Sequence, residues 1–144
     1  MKRGFDQLDE RGIIPTRATK GSAGYDFFVV EDVTIPPKSK ILLPTYVRAY
    51  MQEDEFLALY IRSSLALKYE LLLLNQTGII DSDYYNNPSN LGHIQLALYN
   101  QSTQEISLKR FDRVAQGIFM PYLKVDNDEV THPRQGGFGS TKQS

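Results

Sequence analysis

The stretch EFLALYIR, residues 55–62, alternates with a period of two. The alternation places two sets of side chains on opposite faces of the backbone: Phe56, Ala58, Tyr60 and Arg62 on one, Leu57, Leu59 and Ile61 on the other. Alternation over this length is typical of a β-strand, whose successive side chains point to opposite faces. The stretch therefore predicts a strand with two distinct faces.

Further segments on either side of this strand are also extended. YDFFVV (25–30) is rich in aromatic and β-branched residues, and RVAQGIFMPYLKV (113–125) alternates to its end. HIQLALYN (93–100) places Ile94, Leu96 and Leu98 inward, and TIPPKSKILLPTYVRAYM (34–51) is divided into turns and short strands by its prolines. Only RSSLALKYELLL (62–73) has the pattern of a helix, of one or two turns. Short strands at this spacing favour an all-β sandwich or barrel.

Composition limits the kinds of function. With 144 residues, the chain is expected to form a single domain, 1–144, with a core of its own. A net charge of −1 provides no overall field to attract nucleic acid or an anionic membrane, so neither is an expected partner. The lack of cysteine excludes disulfides and thiolate catalysis. The N-terminus does not resemble a signal peptide and no apolar run is long enough to span a bilayer, so we expect a cytoplasmic location.

Two stretches in the first half of the chain could contribute to a phosphate site. Asp26 follows a glycine turn in GSAGYD (21–26), a position where an aspartate is most often a turn or cap residue. Arg62, Ser63 and Ser64 follow the central strand, and a cation with two hydroxyls would suit phosphate oxygens. A Ser-Ser pair is also an ordinary helix N-cap, so both interpretations stay open.

Three later stretches also carry candidate chemistry. NQTGIIDSDYY (75–85) combines an amide, two acids and an aromatic ring beside an apolar pair, as a nucleotide pocket would; it could equally be a strand ending in an Asp-rich turn. KRFDRVAQ (109–116) clusters cations that could instead form a solvated face. RQGGFGSTK (134–142) offers flexible backbone, hydroxyls, a cation and a Phe that could stack on a base.

In this order, the five stretches resemble the motifs of a known family, the homotrimeric all-β dUTP diphosphatases (dUTPases). PTRATKGSAGYD, RSSLA, NQTGIIDSDY, DRVAQ and GGFGSTK are similar to its first to fifth motifs, between about Ile13 and Lys142. The resemblance implies a distorted jelly roll or β-barrel of the β-clip kind, with at most one short helix. It also implies a flexible C-terminal arm, residues 133–144.

The resemblance further implies hydrolysis of dUTP to dUMP and pyrophosphate, which limits uracil incorporation into DNA. Asp81 would be the general base that activates water for attack on the α-phosphorus, since aspartate is ionised at neutral pH. Asn75 would read the edge of uracil together with the backbone that follows it, Gly78, Ile79 and Ile80. Tyr84 would lie against the deoxyribose and exclude a 2′-hydroxyl.

The remaining motif residues are implied to hold the triphosphate. Arg62, Ser63, Ser64 and Gln116 would contact the phosphate region. The arm would close over the ligand through Arg134, Phe138, Gly139, Ser140 and Thr141. The cofactor would be Mg²⁺, held by phosphates and waters with no direct protein ligand and supported by Asp26 through water. Active sites would be shared between the subunits of a homotrimer, with the arm given to a neighbour.

The sequence departs from the family pattern at four places. Ser64 and Phe111 each stand where the family usually has Gly. The loop from Tyr85 to Gly92 is longer than usual. The arginine before the glycine-rich motif, Arg134, is one residue closer to it than is typical.

Two other functions are compatible with this fold. A dCTP deaminase often shows RSSL, but it needs a catalytic Glu at the position of Ala97. A nucleotide-binding module without hydrolysis would have no use for Asp81 and a complete arm. Assays of pyrophosphate and ammonia release would separate these functions.

Overall fold

The computed structural model describes residues 1–137, and they form a nearly all-β structure with one α-helix. The eleven strands are as follows: β1 Gly4–Gln7, β2 Tyr25–Phe28, β3 Val33–Ile35, β4 Ser39–Pro44, β5 Val47–Tyr50, β6 Glu55–Ile61, β7 Leu71–Leu73, β8 Gly78–Asp81, β9 Gln95–Asn100, β10 Ile106–Leu108 and β11 Arg113–Pro121. The helix, α1, is Ser63–Tyr69, and a 3-10 helix covers Ser82–Tyr84. The predicted all-β class with one short helix is confirmed.

The strands pair antiparallel in four small sheets. The largest has the order β2-β11-β6-β8, and a second has the order β4-β9-β7. β1 pairs with β5 and β10 pairs with β3. No closed barrel forms within residues 1–137.

The core lies between the sheets and follows the alternation in the sequence. Leu57 and Leu59 of β6 are buried, as are Ile94, Leu96 and Leu98 at and before β9. Gly117 of β11 lies beneath this layer, where an added Cβ would come within 2.9 Å of the ring of Phe27. The inward positions predicted for Ile94, Leu96 and Leu98 are confirmed. In β6, Ala58 is buried together with Leu57 and Leu59, so burial there does not follow the alternation completely.

The end of β11 differs from the prediction. Alternation in the sequence predicts a strand as far as Val125, but β11 ends at Pro121, opposite Glu55, the first residue of β6. Residues 122–137 form no further strand, and Leu123 and Val125 are 96% and 79% exposed. The apolar pattern here therefore marks uncovered side chains rather than a longer strand.

Candidate active site

Asp81 is the last residue of β8. The strand lies against β6 with Gly78 opposite Leu59 and Asp81 opposite Phe56. Gly78 and Ile80 point into the core, whereas Ile79 and Asp81 share the outer face, where Ile79 is 55% exposed. The chain then enters the 3-10 helix, so the carboxylate of Asp81 projects, half exposed, from the end of a rigid strand.

Arg134 lies against Asp81 in the same chain. Its Nη2 donates to Asp81 Oδ2 at 2.5 Å and its Nε donates to Asp83 Oδ1 at 2.8 Å. The side chain of Arg134 is only 8% exposed, and its Cζ lies 5.5 Å from the centre of the Tyr84 ring. In this single chain, residues 134–137 lie against their own chain, where two carboxylates are within reach of the guanidinium. The donation of the arm to a neighbour, which the resemblance implies, stays a prediction.

Tyr84, which the resemblance expects to contact the deoxyribose, is almost fully buried. It is 5% exposed, its hydroxyl donates to the carbonyl of His93 at 2.6 Å, and Asn90 Nδ2 donates to that hydroxyl at 2.9 Å. Burial raises the pKa of the phenol, which favours its protonated form. The Tyr84 ring is therefore held in one orientation close to Asp81 and Arg134.

Asn75 lies in the exposed turn between β7 and β8. The carbonyl of Asn75 accepts the N–H of Thr77 at 2.6 Å, and Gln76 adopts a left-handed φ of 63°. The turn therefore has a defined shape at the start of the strand that carries Asp81.

A second group of predicted residues gathers around the other end of β6. Arg62 directly follows that strand as the N-cap residue of α1, and its backbone N–H donates to the carbonyl of Val114 at 3.1 Å. Ser63 and Ser64 are exposed in the first turn of the helix. Ser64, which replaces a family Gly, thus points into solvent. Three predicted phosphate contacts are brought together at this place.

Gln116 and Asp26 belong to the same end of the large sheet. Gln116 of β11 pairs with Asp26 of β2 on one side and with Tyr60 of β6 on the other. Gly24 gives Gln116 its space, since an added Cβ there would come within 2.4 Å of Gln116 Oε1. Asp26 is held by Arg113, Nε to Oδ2 at 3.4 Å.

The two groups share a face of the sheet but stand apart. Gln116 lies opposite Tyr60, and Asp81 lies opposite Phe56. Tyr60 is four positions along β6 from Phe56, so the rows stand about 13 Å apart at ~3.3 Å per residue. From the Asp81 row towards the Gln116 row, the same face carries an apolar strip: Phe56, Ala58, Ile79, Ile118 and Met120. One chain therefore places the predicted base and the predicted phosphate contacts at opposite ends of this strip.

Part of the predicted site lies outside the described residues. Phe138, Gly139, Ser140 and Thr141 belong to this part, so their roles stay predictions, as does the mobile arm. Sequence reasoning also missed two residues of the site region, Asn87 and Asn90. The Asn-Pro-Ser-Asn pattern could have indicated them, because Asn side chains bond to backbone two residues on.

Asp26, which the resemblance implies would support magnesium through water, lies beside Gln116 in the large sheet. Asp26 offers one carboxylate, 17% exposed, of the kind that accepts hydrogen bonds from metal-bound water. Within residues 1–137 there is no group of three or more His, Cys, Asp or Glu able to hold a metal.

A membrane-spanning helix is not found among residues 1–137, where α1 is far too short for that purpose.

Known proteins with a similar sequence or fold agree with one another. The deoxyuridine 5'-triphosphate nucleotidohydrolase of Lactococcus lactis subsp. lactis is 46% identical over 96% of this chain and 97% of its own length. The crystal structure of dUTPase from Streptococcus mutans is 44% identical, with a TM-score of 0.79 over 86% of this chain and 99% of its own. A mutant dUTPase from phage phi11 of S. aureus, described with a structural Mg(II) ion, shares the fold at 22% identity, with a TM-score of 0.77 over 92% of this chain and 98% of its own.

The chain also matches a model built for a whole protein family. A dUTPase family model covers residues 10–142, which include all five motifs. The chain therefore belongs to the dUTPase family of enzymes.

Proposed function

We propose that this chain hydrolyses dUTP to dUMP and pyrophosphate. The observation that carries the proposal is the half-exposed carboxylate of Asp81, fixed at a strand end beside Tyr84 and Arg134, in a chain of the dUTPase family. Relatives at up to 46% identity bear the name deoxyuridine 5'-triphosphate nucleotidohydrolase, which supports this substrate.

Asp81 is the general base of the proposed reaction. Its carboxylate takes a proton from water while the water oxygen bonds to the α-phosphorus. The bond from that phosphorus to the bridging oxygen breaks, and pyrophosphate leaves with its electron pair. The support is positional: an exposed acid on a rigid strand can orient one water molecule, which a flexible loop would do less well.

Substrate selection belongs to the residues around β8. The Asn75 turn would hydrogen-bond the edge of uracil, and a 4-amino group there would leave polar groups unpaired. Tyr84 is buried and bonded on both sides of its hydroxyl, so it cannot easily yield to a 2′-hydroxyl. Both features favour deoxyuridine over cytidine and ribose nucleotides.

The triphosphate would lie among Arg62, Ser63, Ser64 and Gln116. When bound, Mg²⁺ supplies positive charge to the phosphate oxygens. Asp26 would accept hydrogen bonds from its waters. Arg134 would leave its carboxylates for the phosphates, a transfer between two kinds of anionic partner that suit a guanidinium equally.

The active site would be shared between copies of the chain in a homotrimer. Asp81 and Gln116 lie on one face about 13 Å apart along the strands, with an apolar strip between them. Packing this strip against other copies would cover it and bring the Asp81 end of one chain to the Gln116 end of another. The separation of Asp81 from Gln116 and the apolar strip between them both support a site that is completed when several copies of the chain assemble.

A nucleotide panel tests the proposal. Purified protein with Mg²⁺ is mixed with dUTP, dCTP, dTTP or UTP, and pyrophosphate and ammonia are measured. Pyrophosphate from dUTP alone is expected. Ammonia from dCTP would instead indicate a deaminase, and tight dUTP binding without turnover would indicate a binding module; either result refutes the proposal.

A further inference from the structure

The long loop Tyr85–Gly92 is folded around a buried asparagine. Asn87 is 3% exposed, and its Oδ1 accepts the N–H groups of Ser89 and Asn90 at 2.9 and 3.1 Å. Its Nδ2 donates to the carbonyl of Tyr84 at 2.7 Å and to Asn90 Oδ1 at 2.8 Å. The loop thus has one fixed shape, attached to the backbone of Tyr84.

Asn90 connects this loop to the Tyr84 ring. Its Oδ1 accepts from both Asn87 and the N–H of Gly92, the latter at 3.1 Å. With Oδ1 occupied by two donors, Nδ2 is directed to the Tyr84 hydroxyl, at 2.9 Å. The hydroxyl in turn donates to the carbonyl of His93. The amide of Asn90 therefore fixes the ring from its polar end.

The same amide also contacts the arm. A Cβ added to Gly137 would come within 2.6 Å of Asn90 Cγ and Oδ1. Real Cβ contacts are essentially never this short, so a side chain at position 137 would force the Asn90 amide or the arm to shift. Three residues earlier, Arg134 lies near the Tyr84 ring. The root of the arm thus lies close to Tyr84 at two points: Arg134 near the ring, and Gly137 against the amide that bonds the hydroxyl.

We propose that Asn90 is a positioning residue that couples the orientation of Tyr84 to the seating of the arm through Gly137. This inference rests on the proposed function, in which Tyr84 excludes a 2′-hydroxyl and Arg134 moves to the phosphates. The extended loop would then make sugar recognition and the placement of residues 134–137 depend on one amide.

A double-mutant cycle tests the coupling. Asn90→Ala, Gly137→Ala and the double variant are compared with wild type, and Ser89→Ala in the same loop is the matched control. We expect Asn90→Ala to lower kcat/KM for dUTP and the ratio of dUTP to UTP activity, each by about tenfold. Gly137→Ala should lower kcat/KM for dUTP and leave the ratio unchanged. The double variant should be no worse than Asn90→Ala, because the clash partner is gone.

Trypsin cleavage after Arg134 gives a readout that needs no turnover. Arg134 is nearly buried in the wild type, so Asn90→Ala and Gly137→Ala should each be cleaved several-fold faster, and Ser89→Ala at the wild-type rate. Thermal melting checks that each variant is folded; Gly137→Ala changes the arm and not the core, so it remains informative if Asn90→Ala unfolds.

The two proposals fail in different ways. Multiplicative losses in the double variant, an unchanged sugar ratio in Asn90→Ala, or unchanged cleavage of Gly137→Ala would each overturn the coupling. A wild-type protein that does not release pyrophosphate from dUTP would overturn the proposed function, whereas the cleavage result would still decide whether Asn90 seats the arm.

Discussion

Arg134 and Asp81, 53 residues apart in the chain, form an ion pair of 2.5 Å in which the arginine side chain is 8% exposed. The arm is therefore anchored on the residue that we propose as the general base. We propose two successive roles for the guanidinium: it holds the arm root near Asp81 before substrate binds, and it would then move to the phosphates.

Replacing Arg134 tests this account. Arg134→Ala should lower kcat/KM for dUTP by about 10²-fold, as expected for loss of one charged contact to the transferring group. Arg134→Lys should be intermediate, because a lysine keeps the charge but cannot bridge two carboxylates as a planar fork. Steady-state kinetics measures both. Wild-type or higher activity in Arg134→Ala would show that the pair only restrains Asp81.

Subunit mixing tests the shared site. Asp81→Asn and Gln116→Ala should each be nearly inactive alone. If Asp81 and Gln116 of different chains meet in one site, mixed trimers should regain up to about a quarter of wild-type activity after random exchange. Each variant mixed with itself is the control. A mixture that exchanges subunits yet stays inactive would place both residues in one chain's site.

The pH dependence of stability should contain a contribution from His93. Its Nε2 accepts the N–H of Tyr46 at 3.0 Å, and burial, followed by the charge of Arg11, lowers its pKa. His93 in the folded state therefore takes up a proton at a lower pH than His93 in the unfolded state, whose pKa is about 6.5. Stability should fall as pH drops below that value, with a slope under about 1.4 kcal/mol per pH unit, the limit for one proton.

Urea unfolding at pH 7.5, 6.0 and 5.0 measures this contribution. His93→Gln should have a smaller slope in this range. The acids with lowered pKa values, Asp9 at about 2 and Glu55, lose most of their contribution at lower pH. What they add near pH 5.0 is the same in wild type and His93→Gln, so the difference between the two slopes reports on His93. An equal slope in wild type and His93→Gln would remove His93 from the explanation.

Phe111 should be a source of backbone strain. It has a φ of 76°, and its ring is 59% exposed with the Arg110 guanidinium 4.5 Å away. Phe111→Gly and Phe111→Ala both lose the ring, but only Gly relieves the left-handed conformation. We expect Gly to be more stable than Ala by about 1 kcal/mol in urea unfolding, the reverse of the usual order. Ala as stable as Gly would contradict this.

The longer strands and the short helix were predictable because alternation is a local pattern: most of EFLALYIR forms β6 and most of HIQLALYN forms β9. The short strands β1 and β10 were not predicted, and β7 lies in the stretch 62–73 that was expected to hold the helix. The end of β11 was not predictable, because Leu123 and Val125 continue the alternation beyond Pro121, which pairs with the first residue of β6. The sequence of one strand does not show how far its neighbour extends.

The site was predictable as a set of residues but not as an arrangement. The motifs name Asp81, Gln116 and Arg134, yet their separation along one sheet face depends on the register of β11, β6 and β8. The ion pairs of Arg134 with Asp81 and Asp83 could not be predicted from a local pattern, because the two carboxylates lie 53 and 51 residues earlier in the chain. The Asn-Pro-Ser-Asn pattern indicates a turn that contains Asn90. The sequence does not show its role, which depends on contacts with Tyr84 and Gly137.

The most direct test of the central claim is a single turnover of dUTP in ¹⁸O-labelled water, with wild type and Asp81→Asn. We expect the label in dUMP and not in pyrophosphate, and in Asp81→Asn a rate at least ~10²-fold lower with dUTP binding retained. Label in pyrophosphate, or an undiminished rate in Asp81→Asn, would contradict attack on the α-phosphorus by a water that Asp81 activates.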